Sequence, residues 1–89
     1  MTKKRRKLNK DFEKKIYSSK KNVELVLAKI YDIDDEDIQK EYISSFNNVV
    51  YLYDELKENY DQKGFNDNSE ELLANYKNAF IRFESEFEI

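Results

Sequence analysis

The chain has 89 residues, a formal net charge of -3, and neither cysteine nor histidine. This length provides one domain with a modest core, and the composition excludes disulfides, thiol chemistry and the commonest general base and metal ligand. Zero proline and a single glycine leave few turn signals, which favours long helices over a strand-and-turn fold. We therefore expect a non-enzymatic, all-α protein with no catalytic residues, cofactor or metal.

The first helix is predicted near residues 9–33. Its apolar positions recur in alternating steps of four and three, which places them on one side of a helix. This seam consists of Phe12, Ile16, Ser19, Val23, Val26, Ile30 and Ile33, with Ser19 as its one polar member. Residues 1–8, which include the sequence KKRRK, are predicted to form a flexible basic arm before this helix.

The second helix is predicted near residues 35–62. Asp34 and Asp37 are expected to cap its start, where carboxylates suit the helix dipole. Its seam consists of Tyr42, Phe46, Val49, Tyr53, Leu56 and Tyr60. Ile43 and Val50 add a second apolar stripe, so this helix is expected to touch two neighbours.

The third helix is predicted near residues 69–88. The only glycine, Gly64, is expected to end the second helix in a left-handed conformation, with Phe65 as the apolar residue that often follows. Asn68 with Glu71, or Asp67 with Glu70, is expected to cap the third helix. The seam of this helix consists of Leu73, Tyr76, Phe80, Phe83 and Phe87.

Short connections between long helices make neighbouring helices antiparallel. The chain is therefore predicted to be a single helical domain over residues 1–89, an elongated antiparallel three-helix bundle of up-down-up topology. A long helical hairpin that dimerises into a larger bundle is the alternative.

Charge divides the chain into two regions of opposite sign. Residues 1–21 carry a net charge of +8 and residues 22–89 a net charge of -11, which together give -3. The candidates for contact with nucleic acid or another anionic partner are Lys3, Lys4, Arg5, Arg6, Lys7, Lys10, Lys14 and Lys15. The candidates for contact with a basic partner are Asp32, Asp34, Asp35, Glu36, Asp37, Glu84, Glu86 and Glu88.

Residues 32–43 share three acidic positions with a calcium-binding EF-hand loop. Asp37 stands where that loop needs glycine, and Ile43 stands where it needs a bidentate glutamate. We therefore assign no metal site to this segment.

Several large apolar and aromatic residues fall off the three seams. They are Tyr17, Leu25, Tyr31, Tyr51, Leu52 and Ile81. Tyrosine is enriched at the energetic centres of protein interfaces, and clustered exposed apolar residues mark partner surfaces. These six residues are therefore candidates for a protein interface or a homodimer contact.

In length and helical pattern the chain resembles bacteriocin immunity proteins of Gram-positive bacteria, which are antiparallel helical bundles, and small phage-encoded inhibitors of host defence. The resemblance implies a stoichiometric inhibitor, immunity or accessory protein of a bacterium or mobile element. No apolar segment approaches the length of a membrane span, and we expect a cytoplasmic protein. The two alternatives are a nucleic-acid-binding accessory protein that uses the basic N-terminal region and a self-associating structural bundle.

Overall fold

The structure, a computed structural model, describes the backbone of residues 3–87 and the side chains of residues 9–87. Helix α1 spans Lys3–Tyr31, α2 spans Glu36–Lys63 and α3 spans Ser69–Glu86. Within this described part there is no strand, so the all-helical prediction is confirmed. Because α1 begins at Lys3 and not near residue 9, the backbone of residues 3–8 is part of the helix.

The middle helix packs against both others, in a molecule that measures 53 × 21 × 18 Å along its principal axes. At one end, the hydroxyl of Tyr60 in α2 donates a hydrogen bond to the carbonyl oxygen of Asn9 in α1 over 3.0 Å. At the other end, the ring of Tyr42 in α2 lies 4.7 Å from that of Phe87, just after α3. Contacts between neighbouring helices therefore form a bundle.

The predicted seams form the core. The buried apolar residues are Phe12, Ile16, Val23, Val26, Ile30, Phe46, Val49, Tyr53, Leu56, Leu73, Tyr76 and Phe83. Phe46 has an exposed fraction of 0%, and its ring lies 4.8 Å from Phe83 and 6.0 Å from Phe80 in edge-on contacts. Ile43 and Val50 are half-buried against this core, as the second stripe on α2 predicts.

Ser19, the polar residue in the α1 seam, is buried against α3. Its hydroxyl donates to the carbonyl oxygen of Lys15 over 2.8 Å, so its polarity is satisfied within α1. Its own carbonyl oxygen accepts a hydrogen bond from the hydroxyl of Tyr76 over 3.2 Å. The small side chain at this position leaves room for the hydroxyl end of Tyr76.

The start of α2 is capped one residue later than predicted. Asp35, not Asp34, accepts hydrogen bonds from the backbone N–H groups of Asp37 and Ile38. The side-chain amide of Gln39, one turn into α2, donates to three carbonyl oxygens that end α1 and begin the connection, at distances of 3.2 to 3.4 Å. Asp35 therefore holds the start of α2, and Gln39 ties α2 to the end of α1 across the first connection.

The predicted glycine stop at the end of α2 is present, with a different conformation. Gly64 has a φ of 67° and a ψ of -162°, whereas the left-handed helical region has ψ near +47°. The side-chain oxygen of Asn9 accepts a hydrogen bond from the N–H of Phe65 over 2.9 Å, and the Phe65 ring lies 5.2 Å from that of Phe12. The connection is thus attached to the first turns of α1.

At the start of α3 the predicted cap position of Asn68 is correct, but the predicted side-chain hydrogen bond is not formed. Asn66 makes the side-chain and backbone hydrogen bonds at this helix start. Its side-chain oxygen accepts from the N–H of Asn68, and its own N–H donates to the hydroxyl of Ser69. Ser69 is buried by this arrangement.

Candidate functional site

Helices α1 and α3 flank α2 but stand apart from each other. Helices that pack directly have axes 8–10 Å apart, which brings their nearest Cα atoms to about 5 Å. Among the residues that the structure describes, no Cα atom of α1 lies within 8 Å of one in α3. The long side chain of Tyr76 crosses this gap to reach Ser19.

The gap is an open groove, which we call the α1–α3 groove. It consists of two adjoining depressions with volumes of about 380 and 390 Å³, and both are lined by Asn22 of α1 and Phe80 of α3. The groove follows α1 from Lys14 to Lys29, a rise of about 22 Å, which matches about four turns of a helix.

Apolar residues contribute to the base and to both edges of the groove, beside polar and charged ones. Its base contains buried Tyr76 and half-buried Phe80. Leu25 on the α1 edge is 56% exposed and Ile81 on the α3 edge is 62% exposed. Two of the six off-seam residues selected from the sequence thus lie on opposite edges of one groove.

The groove is basic, although the chain as a whole is acidic. Lys14, Lys15 and Lys77 line the depression at one end, and no acidic residue from the described part of the chain lines it. Lys29 and Glu84 line the other depression together. Positive charge is therefore concentrated toward the end that Lys14 occupies.

A second basic depression lies on α1 beside the groove and shares Lys14 and Ser18 with it. Lys10, Lys14 and Tyr17 line this shallow depression with Glu13 and Ser18. The ammonium group of Lys21 lies 5.3 Å from the centroid of the Tyr17 ring, within the range of a cation–π interaction. The side chains of the other basic candidates, Lys3, Lys4, Arg5, Arg6 and Lys7, lie outside the described residues.

The acidic candidates from Asp32 to Glu86 are exposed. Asp32, Asp34, Asp35, Glu36 and Asp37 surround the first connection, and Glu84 and Glu86 are in the last turns of α3. The Tyr42–Phe87 contact brings the end of α3 to the start of α2, so both acidic groups are at the same end of the molecule. Glu88 lies outside the described residues. Asp35 already has a structural role as the α2 cap.

The remaining off-seam residues do not join one cluster. Tyr31 and Tyr51 are exposed, and the Tyr51 hydroxyl donates to the Glu55 carboxylate over 2.7 Å, which raises the pKa of Tyr51. Leu52 is half-buried against the core. The six candidates therefore lie on several faces, and two of them, Leu25 and Ile81, face the groove.

Sequence reasoning missed the groove residues Asn22, Lys29 and Lys77. Lys77 and Ile81 are separated by four residues on α3, so the spacing already predicts that they share one side of the helix. The sequence does not give the distance between α1 and α3. The seam on each helix would look the same whether that helix packed against one neighbour or two.

In the part of the chain with described side chains, no three histidine, cysteine, aspartate or glutamate residues are placed to hold a metal ion. No helix among the described residues has the length and apolar content needed to cross a membrane. Comparisons with protein-family models, curated protein sequences and solved structures give no match.

Proposed function

We propose that this chain is a non-catalytic, cytoplasmic binding protein whose α1–α3 groove receives part of a partner protein. In this role it acts as a stoichiometric inhibitor, immunity or accessory protein of a bacterium or mobile element. The observation that carries the proposal is the pair of exposed aliphatic side chains, Leu25 and Ile81, on opposite edges of one apolar-based groove. Exposed apolar residues grouped around one groove, with polar residues beside them, are a feature of protein interaction sites.

An up-down-up arrangement of the helices is part of this proposal. It is supported by the contact of Asn9 with Tyr60 at one end and of Tyr42 with Phe87 at the other. In such an arrangement α1 and α3 run side by side in the same direction along α2, which gives the groove between them its length.

Affinity capture tests this function. The immobilised chain is incubated with extract of its source cells, with and without nuclease treatment. We expect a protein captured in near-stoichiometric amount whether or not nucleic acid is present. Capture that disappears after nuclease treatment, or the absence of any stoichiometric protein, would contradict the proposal.

Nucleic-acid binding is the second candidate, because Lys21 lies over the exposed ring of Tyr17 and Lys10 and Lys14 line the same depression as that ring. Single-stranded nucleic acids bind surfaces where lysines contact phosphates and aromatic rings stack on bases. A gel-shift titration at rising salt tests this with the double variant Lys10→Glu/Lys14→Glu. Binding that weakens with salt and is lost in the variant supports the candidate; no shift at low salt excludes it.

A further inference from the structure

We infer that the partner segment bound in the α1–α3 groove is an acidic amphipathic helix. The inference rests on the proposed function and adds the chemistry of the partner. It follows from three properties of the groove: its length, the apolar residues at its base and edges, and the sign of its charge.

The shape of the groove fits a helix. About four turns of helix match the 22 Å between Lys14 and Lys29. Helices α1 and α3 are each already packed on α2, so a helix between them would contact both and cover the half-buried Phe80. Amphipathic helices bind grooves in this way through apolar residues at i, i+3 or i+4, and i+7.

The charge of the groove selects the kind of helix. Among the residues with described side chains, four lysines line it, Lys14, Lys15, Lys29 and Lys77, against the single acid Glu84. A helix with glutamate or aspartate beside its apolar stripe would pair with these cations, whereas a basic helix would be repelled. Because Lys14, Lys15 and Lys77 share one depression, the acids are expected toward one end of the bound helix.

The burial of the helix seams disfavours a second copy of this chain as the occupant. A second copy would have to insert an exposed amphipathic helix, and the described seam residues of all three helices are buried or half-buried within their own bundle. The 10.8 kDa chain is therefore expected to be monomeric at the concentrations at which it binds its partner.

A displayed library of helical peptides tests the inference without knowledge of the partner. Each peptide has roughly 18 residues, leucine or phenylalanine fixed on one face, and random residues at the flanking positions. We expect the peptides selected on the folded protein to be net acidic, with the acids enriched toward one end. Selection of neutral or basic peptides, or of none, would overturn the inference.

Two groove variants and two controls locate the binding. Ile81→Glu and Lys77→Glu change exposed groove residues, while Tyr51→Glu and Lys40→Glu are matched changes on exposed positions of α2 outside it. The best acidic peptide should bind each groove variant about tenfold or more weakly than wild type, and bind the controls unchanged. Circular dichroism should show wild-type helicity for all four proteins. Equal binding by groove and control variants would place the peptide elsewhere and overturn the inference.

Two further outcomes separate this inference from the proposed function. If light scattering gives a dimer that Ile81→Glu converts to a monomer, a second copy occupies the groove and the acidic-helix inference is wrong. If affinity capture retains a nuclease-resistant protein that Ile81→Glu and Lys77→Glu bind as well as wild type does, the protein-binding function stands and the groove assignment falls.

Discussion

The hydroxyl of Tyr76 in α3 donates a hydrogen bond to the backbone carbonyl oxygen of Ser19 in α1 over 3.2 Å. The two residues are 57 positions apart in the chain. They connect two helices whose described Cα atoms all lie more than 8 Å from one another. Ser19 contributes through its small size and its carbonyl group, while Tyr76 contributes a side chain long enough to cross the gap. Ser19, the polar residue in the apolar seam of α1, therefore takes part in the contact that links α1 to α3.

The burial of Tyr76 predicts a loss of stability at alkaline pH. Burial raises the pKa of Tyr76 to about 12, above the ordinary value of 10.0 expected in the unfolded chain. Because the folded state holds the proton more tightly, the stabilisation is complete below about pH 10 and is lost as the pH rises toward about 12. Burial also raises the pKa values of Tyr53 and Tyr60, which act in the same direction. Urea unfolding across this pH range measures the effect.

The variant Tyr76→Phe is the control for the alkaline effect. At neutral pH it should lower the free energy of unfolding by about 0.5–1.5 kcal/mol, the usual net value of one hydrogen bond. Between about pH 10 and 12 its stability should fall less than that of wild type, since it lacks the titrating group. Parallel pH profiles for the two proteins would show that Tyr76 does not carry this dependence.

Gly64→Ala should destabilise the protein by about 1–3 kcal/mol, because φ 67° with ψ -162° is a region that only glycine readily adopts. The neighbouring side-chain oxygen of Asn9 would lie 3.5 Å from an added Cβ, so backbone strain and not a clash is the cause. Gly64→Asn should be no milder, although asparagine tolerates the left-handed helical region. Thermal unfolding measures both variants. The control is Asn47→Ala, at an exposed position inside α2, which should leave stability unchanged or slightly higher. If Gly64→Asn is about as stable as wild type, Gly64 has a left-handed helical conformation and the expected strain is absent.

Asp35→Ala and Asp34→Ala form a matched pair for the start of α2. Asp35→Ala removes the carboxylate that accepts two backbone N–H groups and should cost about 0.5–2 kcal/mol of unfolding free energy. Asp34→Ala leaves the cap intact and should change stability by less than about 0.5 kcal/mol. Chemical denaturation compares the two. A larger loss for Asp34→Ala would restore the cap assignment made from the sequence.

Gln39→Glu replaces a donor with an acceptor opposite the carbonyl oxygens at the end of α1. At neutral pH the carboxylate faces the oxygens of Ile30, Tyr31 and Ile33 without a proton to share, so the variant should lose about 1–3 kcal/mol. Near pH 4 the protonated acid donates one hydrogen bond, and the difference from wild type should shrink. Gln39→Leu, which adds no charge, should lack this pH dependence. Denaturant midpoints at the two pH values decide between these outcomes.

Helical periodicity carried most of the fold prediction. Every residue of the α1 seam from Phe12 to Ile30 is buried, because a three–four spacing defines one side of a helix whatever it packs against. Caps were predicted less well, since Asp34 and Asp35 are chemically equivalent in the sequence and only the backbone direction selects one. The groove could not be predicted from the sequence. Phe80 occupies a seam position, so it was expected in the core, but it is half-buried because α1 does not pack closely against α3.

The open side of α1 also determines how the molecule comes apart. Helix α1 is packed along α2 and borders the open groove elsewhere, whereas α2 and α3 share the Phe46–Phe83 contact and the aromatic rings around it. Amide protons of α1 should therefore exchange with solvent through an opening that leaves α2 and α3 together, at a lower free energy than global unfolding. A ligand held between α1 and α3 would suppress this opening, so slower hydrogen exchange in α1 would report occupancy of the groove.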